Sequence, residues 1–267
     1  MAKYILTIDQ GTTGTTVSLL NANGRVKCRV NQEFRQIFPK PGWVEHDPND
    51  IWRSVLSAIK KCQSLGKVSP KQIVAIGITN QRETLVTWDR KTGKPLGRCI
   101  VWQCRRTTEM CAKLKKKGVE PEFQKKTGLV LDPYFSGTKM SWVLAHRAGA
   151  KALAKKGQLC FGTIDSFLIW KLTGGKSFAT DVSNASRTLL LNLQSREYDE
   201  SLLKILKVKK EMLPEIKPSC GEFGVTKGLA HIVDGTPITG VIGDQQSALF
   251  GQKLFSKRVG KNHLWHR

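Results

Sequence analysis

Three β-type runs joined by tight turns open this chain, and no other stretch restricts the fold as much. Residues 4–8 and 15–20 are apolar and β-branched, Asn23-Gly24 supplies a hairpin turn, and residues 25–34 continue as a third strand. That order predicts an antiparallel hairpin start. Asp47-Pro48 then combines an N-cap with a favoured first helical residue, after which Ile51, Trp52, Val55, Leu56, Ile59 and Cys62 recur at helical spacing. A continuous apolar run over 73–78 reads as a buried strand of a sheet covered on both faces. Helical patterns follow over 107–117, 138–146, 165–172 and 200–207. Strands alternating with helices after a hairpin start predict a mixed α/β sheet.

At 267 residues and 40% hydrophobic content the chain can bury a substantial core. No repeat and no Pro/Gly/Ser-rich linker divides it, so residues 1–252 read as one domain. The opening is apolar only briefly before Asp9 interrupts it, which fits neither a secretory signal nor a membrane span; the expected location is cytoplasmic. The seven cysteines lack metal or redox spacing and are expected to be free thiols. The net charge of +23 could mean an electrostatic footprint for nucleic acid, although a Lys-rich solvated surface is the plainer reading. Against a dedicated nucleic-acid surface, lysines such as Lys115-Lys116-Lys117 and Lys155-Lys156 are spread along the chain without interleaved aromatics.

Several polar segments sit where apolar strands end. In Asp9-Gln10-Gly11-Thr12-Thr13-Gly14, backbone N–H groups and hydroxyls at a tight turn suit phosphate oxygens, with Asp9 placed to hold Mg²⁺; an ordinary hairpin would use the same residues to satisfy its own backbone. Gly175-Lys176-Ser177 mimics the end of a Walker loop, but Trp170 occupies the position of its first glycine. Thr79-Asn80-Gln81-Arg82-Glu83 follows the buried strand and offers donors and acceptors for a polyhydroxylated molecule, or else a surface ion pair. Trp102 offers an aromatic face and Tyr134 a hydroxyl, although a core tryptophan and a loop anchor are the plainer readings. Finally, residues 238–243 form an apolar strand that delivers Asp244, followed by Gln245, at a helix start. Asp244 is a candidate general base, an N-cap, or both.

Taken together, Asp9-Gln10-Gly11-Thr12-Thr13, Asn80-Gln81-Arg82-Glu83-Thr84, Trp102-Gln103-Cys104-Arg105-Arg106, Thr180-Asp181-x-x-Asn184-Ala185-Ser186-Arg187 and Gly243-Asp244-Gln245-Gln246 resemble the glycerol kinases of the FGGY carbohydrate kinase family. Tyr134-x-Ser136-x-x-Lys139-Met140-x-Trp142 is similar to that family's signature, and the likeness runs to about Asn262. The resemblance implies an α/β, actin-like ATPase (ribonuclease H-like) domain with a mixed sheet, the first of two lobes of a sugar kinase. It implies transfer of the ATP γ-phosphate to glycerol. On that basis Arg82, Glu83, Tyr134, Asp244 and Gln245 would hydrogen-bond glycerol, Trp102 would pack on its carbons, and Asp244 would accept the hydroxyl proton. Thr12, Thr13 and Gly14 would border the ATP phosphates, with Asp9 near Mg²⁺. The family often carries Arg where this chain has Thr16, which removes a cation from the phosphate region.

The last residues depart from the likeness. Relatives continue Lys-Asn-Thr-Tyr-Gly-Thr-Gly into a second lobe, whereas this chain reads Lys261-Asn262-His263-Leu264-Trp265-His266-Arg267. Codons ACT-TAT-GGC-ACA-GGG preceded by one extra C become CAC-TTA-TGG-CAC-AGG, which spells His-Leu-Trp-His-Arg. The expectation is therefore a frameshift near Asn262, residues 253–267 being the start of an interlobe segment with an aberrant tail. The C-terminal lobe would be the missing partner, the chain alone would have little or no activity, and an intact form would be free to form homo-oligomers. A non-catalytic stand-alone lobe, a basic polyanion binder and another FGGY sugar kinase are the alternatives.

Overall fold

The computed structural model describes residues 2–252, so the sequence expectations for 253–267, including His263 and His266, lie outside the described residues. Its centre is a five-stranded sheet built from β1 (Tyr4–Gln10), β2 (Gly14–Asn21), β3 (Val26–Glu33), β4 (Ile73–Asn80) and β5 (Ile238–Gly243), in the order β5-β4-β1-β2-β3. β1, β2 and β3 are antiparallel neighbours, whereas β4 runs parallel to both β1 and β5. The mixed sheet is the one the hairpin start predicts.

Helix α1 (Pro48–Gly66) covers the hairpin half of the sheet. Asp47 caps it by accepting the Asn49 amide at 2.8 Å, and Lys67 closes it in the left-handed region at φ 52°. Ile51, Val55 and Cys62 are fully buried against the sheet, each aliphatic side chain contributing about 1.5–3 kcal/mol by leaving water. Inside the same interface Thr15 Oγ1 and Ser54 Oγ share a buried hydrogen bond of 2.7 Å.

β4 is central but not sheathed on both faces as its apolar run suggests. Ile73, Ile76 and Ile78 are buried, whereas Val74 is 39% exposed and Ala75, Gly77 and Thr79 are half-buried. The second face carries small side chains, so the continuous run reflects one deep face and one shallow face. Helix α3 (Ile164–Leu172) packs behind this strand and is buried nearly all round, and α2 (Ser136–His146) belongs to a second layer.

The apolar interior divides into two clusters. One joins the sheet, α1 and α3; the other gathers Phe123, Leu131, Met140, Phe161, Leu190 and Leu202 under α2. A short antiparallel pair, Val86–Asp89 with Leu159–Gly162, runs between them. Trp88, fully buried on this pair, packs edge-on to Phe167 and Phe178. All seven cysteines are free, as their spacing suggests. Among the described residues no helix is long and apolar enough to cross a membrane.

Gly162, the last residue of that pair, is tightly enclosed by α3 and Trp88. A Cβ there would lie 2.7 Å from both Ser166 Cβ and the Trp88 ring. Gly162→Ala is therefore expected to cost about 1–3 kcal/mol through overpacking, measured as a lower urea midpoint with unchanged slope.

Candidate functional site

Parallel register places three strand ends side by side: Gln10 pairs with Asn80, and Asn80 pairs with Gly243. Each strand hands over to a polar segment at the same edge of the sheet, where α/β folds commonly bind ligands.

After β1 the chain turns tightly, with the Gly11 amide donating to Gly14 O at 2.9 Å. The neighbouring strand tip holds this turn. Gln81, 2% exposed, donates its amide N–H to Gln10 O at 2.8 Å and its carboxamide to Gly11 O at 3.1 Å. Thr12 is fixed from the other side, its hydroxyl accepting Trp102 Nε1 at 3.0 Å and its carbonyl accepting Gln36 Nε2 at 2.9 Å. Thr13 is exposed and Gly14 is buried against β3, where Gln32 O would approach an added Cβ to 3.2 Å.

Arg82 and Glu83 are not the surface ion pair that their adjacency allows. Both are buried, and each pairs elsewhere: Arg82 Nε with Asp244 Oδ1 at 3.0 Å, and Glu83 Oε1 with Arg187 Nε at 2.6 Å. Glu83 sits at φ 63°, a left-handed conformation that a glutamate rarely adopts. Ser136 Oγ donates to its carbonyl at 3.0 Å, as does the buried ammonium of Lys139 at 3.4 Å, which also donates to Tyr134 O. Burial raises the Glu83 pKa, and the cations Arg187, Arg82 and Lys139 oppose that rise.

Tyr134 and Trp102 meet edge-to-face at 5.6 Å between ring centroids, and the Arg187 guanidinium lies over the Tyr134 ring at 5.8 Å. Trp102 is thus a half-buried wall of the site rather than a core residue. Asp244 is the first residue of α4 (Asp244–Gly251). Gly243 holds the N-cap position, which corrects the reading of Asp244 as cap, although its carboxylate accepts the Gln245 amide at 2.7 Å. Side-chain exposure of 46% leaves Asp244 open to a ligand even while paired with Arg82. Asp9 is exposed at the mouth, yet partial loss of solvation and then the Asp244 carboxylate raise its pKa, with Arg29 pulling it back.

Arg82, Glu83, Trp102, Tyr134 and Asp244 therefore meet at one edge, with Thr12 joined through Trp102 and Asp9 near enough for the Asp244 charge to act on it. The side chain that touches Arg82 from α4 is Gln246, at 3.3 Å to Nη1; Gln245 is exposed beside it. Gln246, Gln81, Arg187 and Lys139 were not singled out from sequence as site residues. Their signal was their place inside the family-like motifs: Gln81 and Gln246 beside Arg82 and Asp244, Lys139 in the Tyr134 segment and Arg187 at the end of the 180–187 segment. A separate cavity of about 730 Å³, lined by Met110, Trp142 and Ile205 among others, includes none of the strand-end residues.

A sheet of this order with a ligand edge formed by its strand ends defines one lobe of an actin-like ATPase fold, as found in sugar kinases. Residues 4–251 match the N-terminal domain of the FGGY family of carbohydrate kinases, and the chain belongs to that family. It is 54% identical to a glycerol kinase of Rhizobium rhizogenes over 98% of this chain and 52% of that protein. A glycerol kinase of Halothermothrix orenii is 53% identical over 97% of this chain and 52% of its own length. Among solved structures, Plasmodium falciparum glycerol kinase with ADP superposes with TM-score 0.90 at 38% identity, covering 96% of this chain and 51% of that one. Gluconate kinase from Lactobacillus acidophilus gives 0.81 at 27%, covering 91% and 48%. The chain spans about half the length of the curated relatives it matches.

Two substitutions report on this geometry. A Cβ on Gly243 would fall 2.5 Å from Arg82 Cδ, so Gly243→Ala is expected to displace Arg82 from Asp244 and cost about 1–3 kcal/mol, read by urea unfolding. Lys139 has its pKa pushed down to about 7 by burial. Above pH 7 the folded state has released a proton that the unfolded lysine keeps until about 10.5, so stability rises with pH across that window. Lys139→Met should remove that rise, which is on the order of 5 kcal/mol, in unfolding curves taken from pH 7 to 10.5.

Proposed function

We propose that residues 1–252 form the first lobe of an ATP-dependent kinase that converts glycerol to glycerol 3-phosphate in the cytoplasm. The observation that carries this reading is the Arg82–Asp244 pair at the mouth of the site. A desolvated guanidinium and an accessible carboxylate sit 3.0 Å apart beside Glu83 and an aromatic wall. A three-carbon polyol has alternating needs: hydroxyls that want charged partners and C–H faces that want an apolar surface. Arg82 donates to one hydroxyl, Glu83 and Tyr134 engage its neighbours, and Trp102 covers the carbon face, with Gln245 and Gln246 at the rim.

Asp244 is the general base. It stands at the end of β5, held by Arg82 Nε at 3.0 Å, and accepts the proton of the attacking hydroxyl as the oxygen–phosphorus bond forms. The turn at Thr12, Thr13 and Gly14 presents amides and hydroxyls to the nucleotide phosphates. Among the described residues no cluster of three His, Cys, Asp or Glu side chains could hold a metal. Mg²⁺ needs no such cluster, since it takes one or two carboxylates and completes its shell with phosphate oxygens and water. Asp9, the carboxylate at the end of β1 beside the turn at Thr12, Thr13 and Gly14, fits that donor set and would hold the ion. When bound, Mg²⁺ neutralises charge on the transferred phosphoryl group. The adenine-facing groups and closure over the substrate belong to the second lobe of the complete kinase.

Titration calorimetry of the 267-residue chain with glycerol, gluconate and xylulose tests the substrate. Glycerol is expected to bind in preference, and Arg82→Ala and Trp102→Ala to weaken it about tenfold, on the order of 1.4 kcal/mol each. Preference for either of the longer polyols would reassign the chain to another branch of the family.

A further inference from the structure

The segment Thr180-Asp181-x-x-Asn184 supplies none of the residues proposed to bind the substrate, yet it joins two of the strand ends that form the site. Asp181 is fully buried, and every hydrogen bond it accepts comes from a neutral donor. Oδ2 accepts Ser183 N at 2.9 Å, Ser183 Oγ at 2.6 Å and Ser219 Oγ at 2.7 Å; Oδ1 accepts Asn184 N at 2.9 Å and Asn184 Nδ2 at 2.8 Å. Five donors on one carboxylate stabilise its charge without a counter-ion. Close by, Asp165 is pushed up to about 7 by burial and by the Asp181 charge.

Two of these donors reach onward. Ser183 spends its proton on Asp181, which orients its oxygen lone pairs outward, and that oxygen accepts the Gly243 amide at 2.7 Å. Asn184 exchanges two hydrogen bonds with the Asn80 carboxamide, at 3.1 and 3.2 Å. Gly243 precedes Asp244, and Asn80 stands two residues before Arg82.

We propose that Asp181 is a positioning residue. Through Ser183 and Asn184 it holds the ends of β5 and β4 at a fixed separation, so that Asp244 and Arg82 keep their places when their mutual ion pair is exchanged for contacts to substrate. The substrate clause rests on the glycerol reading above; the geometric clause does not. An ionised carboxylate serves here where an amide would fail. Asn at position 181 would offer one acceptor oxygen in place of two and would turn an N–H toward the Ser183 and Ser219 hydroxyls.

The test uses amide hydrogen exchange by NMR on the full 267-residue chain, together with glycerol titration. Ser183→Ala deletes a single hydroxyl and leaves Asp181 in place; Ser183→Thr restores the hydroxyl; Asp181→Asn removes the charge. In Ser183→Ala and Asp181→Asn, Gly243 amide exchange is expected to accelerate at least tenfold while the Leu6 and Ile8 amides stay protected. Glycerol affinity should fall about tenfold in the same two variants, and Ser183→Thr should recover both readouts. If Asp181→Asn unfolds the chain, Ser183→Ala alone decides. Unchanged Gly243 exchange in Ser183→Ala overturns the proposal, as does accelerated Gly243 exchange with undiminished glycerol affinity. If the wild-type chain binds no glycerol, the substrate reading fails while the Gly243 amide still judges the geometric clause.

Discussion

Everything at the ligand edge depends on the parallel register of β1, β4 and β5. Gln10, Asn80 and Gly243 lie in one row because the backbone ladders pair them there, and a shift of one residue in β4 would turn Arg82 and Glu83 to the opposite face. Backbone pairing alone specifies register weakly where one face carries Ala75, Gly77 and Thr79. The buried Ile73, Ile76 and Ile78 specify it from the core side, and Gln81 fastens it beyond the strand end by bonding back to Gln10 and Gly11. Core packing thus selects the register, and side-chain hydrogen bonds at the tips keep it where the ladder stops.

The charges at this edge are bound to one another before any ligand arrives. Stripping Arg82 and Glu83 of water costs several kcal/mol each unless partners compensate, and Asp244 and Arg187 supply that compensation. The two pairs differ in a way that matters for chemistry. Arg187 lies over the Tyr134 and Phe135 rings, which keeps Glu83 committed. Asp244 remains nearly half exposed, so its partner is the exchangeable one. The edge is preorganised at Glu83 and adaptable at Asp244, the division the proposed proton acceptor would need in releasing one partner to take another.

Local signals carried much of the fold. The hairpin strands, the Asp47-Pro48 helix start and the apolar run of β4 were readable because each depends on a few adjacent residues. Glu120–Thr127 and Ala150–Lys155 escaped because they are short, Lys-rich helices with little apolar periodicity. At the site, the residues named from sequence cluster at the strand ends, but their pairing did not follow from order along the chain. Arg82 and Glu83 are neighbours that point to different partners 162 and 104 residues away. Lys139 and Asp181 were legible only as motif letters, since nothing local says that a lysine will be fully buried on two carbonyls or a carboxylate on five neutral donors.

The division of the interior into two clusters explains where precision is required. Arg82, Glu83 and Thr84 leave the sheet cluster at β4 and enter the cluster under α2, where Leu85 is fully buried, so the site residues occupy the seam between two independently packed bodies. A seam is compliant unless polar contacts cross it. Ser136 and Lys139 reach from α2 to the Glu83 carbonyl, and Asn184 reaches the Asn80 carboxamide. Each crossing bond is buried, where an unmade partner costs about 1–3 kcal/mol, so the two layers cannot slide without losing several at once. The left-handed backbone at Glu83 is sustained by the same bonds, and it lets the chain turn from one layer into the other while leaving Arg82 and Glu83 facing different partners.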